Sequence, residues 1–267
     1  MVLTFADNYM KQQEYSDAIP YLEEAISLER KKRKRARYQY ILAQIYQESN
    51  QFKKASDLYK EVIKANPKYE MSFSAKINRA TSFDVNHGDS REIKKQLNKM
   101  ARDDKNIDYL DQIYYALANI EYKEGNLEKA IDLYKQSAKE SFTNTDQKAM
   151  SFLALADIYF KRKDYMEAQF YYDSTMVFLS DQHPDYENIS LKSNNLTELV
   201  THLKTIMLED SLQMVAGLSE KKRNKLIDNI IQEIKEEEER QKQLEQQQRM
   251  NSMQYNQNRN QMNQYNN

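Results

Sequence analysis

The chain has 267 residues with 40 basic and 41 acidic side chains, a formal charge of −1 and a mean hydropathy of −0.95. Near-neutrality excludes a global field that would draw nucleic acid or another polyanion. The lack of Cys excludes disulfides, thiolate metal sites and cysteine nucleophiles, and no run approaches the roughly 18 apolar residues of a membrane span.

With only 3 Gly and 3 Pro, the chain is short of the residues that a turn-rich sheet protein needs, so an all-α fold is predicted. The first stretch, MVLTFADNYMKQQEY, has neither a basic region before a sustained apolar run nor a cysteine to carry a lipid. No signal peptide or lipobox is therefore expected in it.

From there the chain repeats itself. NYMKQQEYSDAIPYLEEAI, QIYQESNQFKKASDLYKEVI, NIEYKEGNLEKAIDLYKQSA and DIYFKRKDYMEAQFYYDSTM share small anchors at Ala18, Ala55, Ala130 and Ala168. A second series, Ala6, Ala43, Ala118 and Ala156, precedes them, and both series step by 37, 75 and 38 residues. The doubled step requires one more unit in the middle, where Thr81 and Ile93 stand in the small-residue positions and Leu97 and Met100 follow. Small residues recur where two helices meet closely, and larger Tyr, Leu and Ile fill the space between units. A lone helical hairpin cannot bury its apolar face, so stacked neighbours share a core. Five hairpins are predicted at about 1–30, 36–67, 72–103, 109–140 and 147–180, filling residues 1–186. Gly125 supplies one turn within a hairpin, with Asn50 and Asp164 expected at the equivalent turns and the segment His87–Asp89 at the third.

The unit resembles the tetratricopeptide repeat: small–x₂–Tyr spacing holds in Ala6/Tyr9, Ala43/Tyr46 and Ala156/Tyr159, and Pro67 ends a repeat. That resemblance implies a right-handed superhelical solenoid whose A helices line a concave groove. By register, Gln39, Gln44, Tyr114, Asn119 and Asp157 lie on A helices within reach of that groove, although Tyr114 also sits at a large-residue core position. The strongest charge signal is RKKRKRAR, Arg30–Arg37, between the first two hairpins. It reads first as a solvated helix start and second as a patch for an acidic protein surface, a phospholipid head group or nucleic acid. Lys31, Lys32, Arg33 and Arg35 are its members to test. Nucleic acid ranks low among these and is not expected, because the chain as a whole is neutral and no stacking aromatics accompany the run.

Chemistry has no comparable signal. His87, His183 and His202 share no spacing, no phosphate-cradling or hydrolase motif occurs, and the pairs Glu23/Glu24 and Asp103/Asp104 are adjacent and so point to different helix faces. No enzyme, cofactor or metal is expected.

After the array, Leu196, Leu199/Val200, Leu203 and Ile206/Met207 mark one helix face, fit to pack on the last hairpin. Gly217 is expected to end that helix and Ser219 to cap the next, which carries Leu226/Ile230/Ile234 and Ile227/Ile231 before dissolving into charge. Residues 187–240 are thus a capping helix and a second, partly extended helix. From Gln241 onward 16 of 27 residues are Gln or Asn, and disorder is predicted.

Two segments, IDYLDQIYYALANIEYKEGNLEKAIDLYKQSA at 107–138 and EDSLQMVAGLSEKKRNKLIDNIIQEIKEEEER at 209–240, resemble the gliding-motility and type IX secretion-associated tetratricopeptide lipoproteins of Bacteroidetes. The second is the more specific. The resemblance covers residues 1 to about 240 and implies a non-catalytic protein-interaction scaffold on the periplasmic side of the outer membrane, with outer-membrane or periplasmic machinery as partners. Those lipoproteins are several times longer and begin with a lipoprotein signal, so this chain, starting directly in an A helix, is expected to be a fragment or a shortened relative. The alternative is a cytoplasmic tetratricopeptide adaptor, a co-chaperone-like peptide binder.

Overall fold

The computed structural model describes residues 2–85 and 89–265, with side chains through 246. Every regular element among the described residues is helical. Two compact units divide the chain, Met1–Val200 and Thr201–Asn267.

The first unit is a series of paired antiparallel neighbours, the architecture of a helical-hairpin solenoid. Its helices are α1 (Val2–Lys11) and α2 (Tyr15–Leu28), α3 (Lys32–Glu48) and α4 (Phe52–Lys64), α5 (Tyr69–Thr81) and α6 (Arg91–Ala101), α7 (Leu110–Lys123) and α8 (Leu127–Glu140), and α9 (Thr145–Lys161) and α10 (Tyr165–Phe178). A 3-10 helix, Asp104–Tyr109, precedes α7. Ala6, Ala18, Ala43, Ala55, Ala118, Ala130, Ala156 and Ala168 are all fully buried, because only a methyl fits where the two helices of a hairpin cross.

One turn is built four times. Gln13, Asn50, Gly125 and Lys163 take positive φ of 61°, 56°, 82° and 62°. Each lies seven residues past its A-helix alanine. The N–H of the next residue (Glu14, Gln51, Asn126, Asp164) donates to the carbonyl of Tyr9, Tyr46, Glu121 and Tyr159 at 2.7–3.0 Å. The N–H of the left-handed residue itself donates to Met10, Gln47, Tyr122 and Phe160. This is the Schellman closure, which satisfies carbonyls that a helix end otherwise orphans. Asp164 is therefore not the left-handed turn residue that its position suggests. Lys163 takes that conformation, and the Asp164 carboxylate accepts from the Glu167 N–H at 3.5 Å, capping α10.

The third hairpin departs from this plan. The other A helices run five residues beyond their alanine, whereas α5 stops at Thr81 itself. His87 and the start of the predicted His87–Asp89 turn lie outside the described residues. Polar ties replace the missing close seam. Lys123 of α7 donates to the carbonyls of Thr81 and Phe83 at 2.8 and 2.7 Å, closing the end of α5 from the next hairpin. Lys94 of α6 meets Glu124 at 2.7 Å and the buried Glu121 at 3.3 Å, and Ser90 donates to Glu124. On the other side, Ser82 donates to the Gln47 side chain at 3.1 Å. The apolar core divides here too: Ala75 packs with the first two hairpins, while Phe73, Ala80, Ile93 and Leu97 pack with α7.

The first half of α11 (Tyr186–Ala216) closes the array. Ile189, Ser193, Leu196 and Val200 are buried, and Ser193 donates to Asp173 of α10 at 2.6 Å. This half belongs with the hairpins in the first unit, which runs to Val200. Leu199, Ile206 and Met207, expected on the packing face, are exposed, Leu199 because it lies off the Ile189–Val200 line and the other two because they fall in the second unit.

That second unit contains the end of α11 and α12 (Glu220–Tyr265). α11 ends at Ala216, but Gly217 has ordinary φ and a Cβ there would meet only the Gln213 and Met214 carbonyls at 3.6 Å. The backbone of α12 continues as helix through the segment whose composition predicts disorder. Gln, Glu, Lys, Arg and Met are good helix formers, and no Gly or Pro interrupts the run.

Candidate partner-binding surfaces

Lys31 is the N-cap of α3, its backbone N–H donating to Glu29 at 2.8 Å, and Lys32, Arg33 and Arg35 are exposed at the start of that helix. No acidic residue stands in the first turn. Positive charge at a helix N-terminus opposes the helix dipole, so the run adds nothing to the stability of α3. Ala36, the one apolar member of RKKRKRAR, is buried.

Beside this run is a cleft of about 330 Å³ between α1 and α3, both A helices. Leu3, Met10, Tyr38 and Ile41 give it an apolar lining, and Lys34 and Arg37 stand at its edge. Asp7 also lines it but is engaged by Lys11 at 2.7 Å. Gln39 of α3 is half-buried and Gln44 is exposed.

Sequence register alone does not separate free A-helix residues from those used inside a hairpin. Tyr134 donates to Asn119 at 2.7 Å, and Tyr172 donates to Asp157 at 2.5 Å. Both acceptors are thus tied to the B helix of their own hairpin. In the second hairpin Tyr59 donates instead to Gln47 at 3.0 Å, leaving Gln44 unengaged by it. Burial pushes all three tyrosines well above the usual phenol range, so each stays a hydrogen-bond donor. Tyr59, Tyr134 and Tyr172 recur at steps of 75 and 38, the same as the alanines, and that periodicity is the signal that would have found them. Tyr114 packs against the core of the third hairpin.

Further along the A helices, Lys161 of α9 donates to the Tyr122 hydroxyl of α7 at 2.7 Å, and Lys192 of α11 lies 3.9 Å from Asp157 and over the Tyr172 ring. Lys161 bridges consecutive hairpins, and Lys192 ties the closing helix to the last of them. Among the described residues no group of three or more His, Cys, Asp or Glu is placed to hold a metal ion, and no helix is long and apolar enough to cross a membrane.

Such an array of helix pairs with open clefts defines a helical-repeat scaffold of the kind used for protein–protein interaction. Residues 1–68 and 115–175 each match a family model described as tetratricopeptide repeat. The chain carries tetratricopeptide repeats in both of these stretches. The gap between the two matches holds the third hairpin, where the alanine seam is lost. No curated protein matches the chain.

Proposed function

We propose that the array holds a partner protein on its A-helix side, and that the partner contributes an acidic, amphipathic segment. The observation that carries this is the apolar cleft between α1 and α3 with Lys34 and Arg37 at its edge and the exposed run Lys31, Lys32, Arg33 and Arg35 beside it. An amphipathic helix would set its apolar face in the cleft and its acids against the run. Gln39 and Gln44 are the groove residues available to the same segment, whereas Asn119 and Asp157 act mainly within their hairpins. The finer assignment is to a secretion or gliding-motility apparatus of the cell envelope, and the resemblance of residues 107–138 and 209–240 supports it.

Two measurements test these levels separately. A tagged full-length gene product should fractionate with outer-membrane proteins, and recovery in the cytosolic fraction would favour the cytoplasmic adaptor. Lys34→Glu with Arg37→Glu should weaken the recovered complex by at least about tenfold, as expected when charge complementarity at an interface becomes repulsion. Undiminished recovery would remove the cleft from the account.

A further inference from the structure

The second unit carries an exposed apolar face. On α12, Ile227, Ile230, Ile231 and Ile234 are 45–53% exposed and form one apolar stripe with the half-buried Leu226. We propose that this stripe pairs antiparallel with the same stripe of a second copy, centred on Ile230.

The charges flanking the stripe are self-complementary about that centre. Lys221, Lys222, Arg223 and Lys225 precede it, and Glu236, Glu237, Glu238 and Glu239 follow it. An antiparallel partner sets Lys221, Lys222 and Arg223 against Glu239, Glu238 and Glu237, with Lys225 facing Lys235 nearer the centre, while a parallel partner sets like against like throughout. Arg223, Ile230 and Glu237 are spaced by seven residues and share one helix face, so an antiparallel copy brings Arg223 beside Glu237 at both ends of the contact. The present contacts of these two side chains are local and exposed: Arg223 reaches the Leu218 and Ala216 carbonyls at 3.3 and 3.4 Å, and Glu237 meets Arg240 at 3.4 Å. The charge order also has no explanation within one helix. Lys221, Lys222 and Arg223 in the first turn of α12 oppose its dipole and outnumber Glu220, the one acidic residue there.

The chain has no cysteine, which makes single-cysteine variants unambiguous. In sedimentation equilibrium the full chain should rise with concentration from its 31.9 kDa mass toward about twice that, the mass of an isologous dimer. Ile230→Glu with Ile234→Glu, both at exposed positions, should hold it at the monomer mass. Mixed under oxidising conditions, the Lys221→Cys and Glu239→Cys chains should form the mixed disulfide faster than either forms its own. A wild-type chain that stays monomeric at every concentration, as when the stripe folds onto its own chain, overturns the proposal. So does a dimer that survives the double substitution, or a Lys221→Cys chain that crosslinks fastest with itself.

Discussion

At the residue scale, the position three beyond the A-helix alanine links the second, fourth and fifth hairpins to the hairpin before them. Tyr46 donates to Glu23 of the preceding hairpin at 2.7 Å, and Tyr159 lies stacked on Tyr171 beside Lys135. Burial, with Glu23 adding to it, pushes the Tyr46 phenol up to about 12, so this donor survives through any ordinary pH. In the fourth hairpin the position is Glu121, buried between Lys94 and Lys129. Burial alone would raise its carboxyl, but hydrogen bonds from Lys129, Asn126 and Lys94 outweigh that and hold it below the ordinary 4.5. Its contribution to stability is therefore full above about pH 4.5 and lost as pH falls through the folded value. Lys94 is shifted the other way. Desolvation lowers it, but Glu124 and Glu121 prevail and raise it above 10.5, so its contribution is lost only as pH rises beyond that. Glu121→Gln should flatten the acid limb of the stability–pH curve and cost about 1–3 kcal/mol near neutrality, the range for losing charged hydrogen bonds at a buried site. Denaturant melts at pH 4 and pH 7 check it. The left-handed turns give a second expectation. Lys163→Gly should stabilise and Gly125→Ala destabilise, each by about 1 kcal/mol, since L-residues pay for that conformation and Gly does not. At Gly125 a Cβ would meet nothing within 4 Å, so the cost there is conformational alone. Chemical denaturation of the two variants measures both.

At the scale of the helix pair, stability rests on the alanine seam in four hairpins and on polar ties in the third. Ala118→Leu or Ala156→Leu should cost about 1–3 kcal/mol by overpacking a close contact, and a melt identical to wild type would show that these residues do not line the crossing. The seam was legible because a methyl-only constraint repeats with the fold's own period. Lys123, by contrast, looks in sequence like any charged residue at a helix end, and its role appears only when Thr81 and Phe83 are brought beneath it. Lys123→Met should accordingly loosen the end of α5 while leaving α7 helical, seen as faster amide exchange confined to residues near 81–83. The A-helix side was only partly legible. Register puts Gln44, Asn119 and Asp157 in equivalent positions, but it does not show that a B-helix tyrosine takes up two of the three. The apolar cleft between α1 and α3 was missed for a related reason: Met10 and Ile41 are ordinary core-type residues in sequence, and only the spacing of two A helices turns them into a lining.

At the scale of the whole molecule, the first unit offers a cleft with a basic margin and the second a stripe with charges of both signs, so the two invite different partners. The first fits an acidic protein segment; the second fits a copy of itself. The cleft is tested most directly by amide hydrogen exchange on the chain alone and in complex with its recovered partner. Protection should gather on α1 and α3, at residues 2–11 and 32–48, and be lost with Lys34→Glu and Arg37→Glu. Protection confined to α6, α8 and α10, with α1 and α3 unchanged, would contradict it.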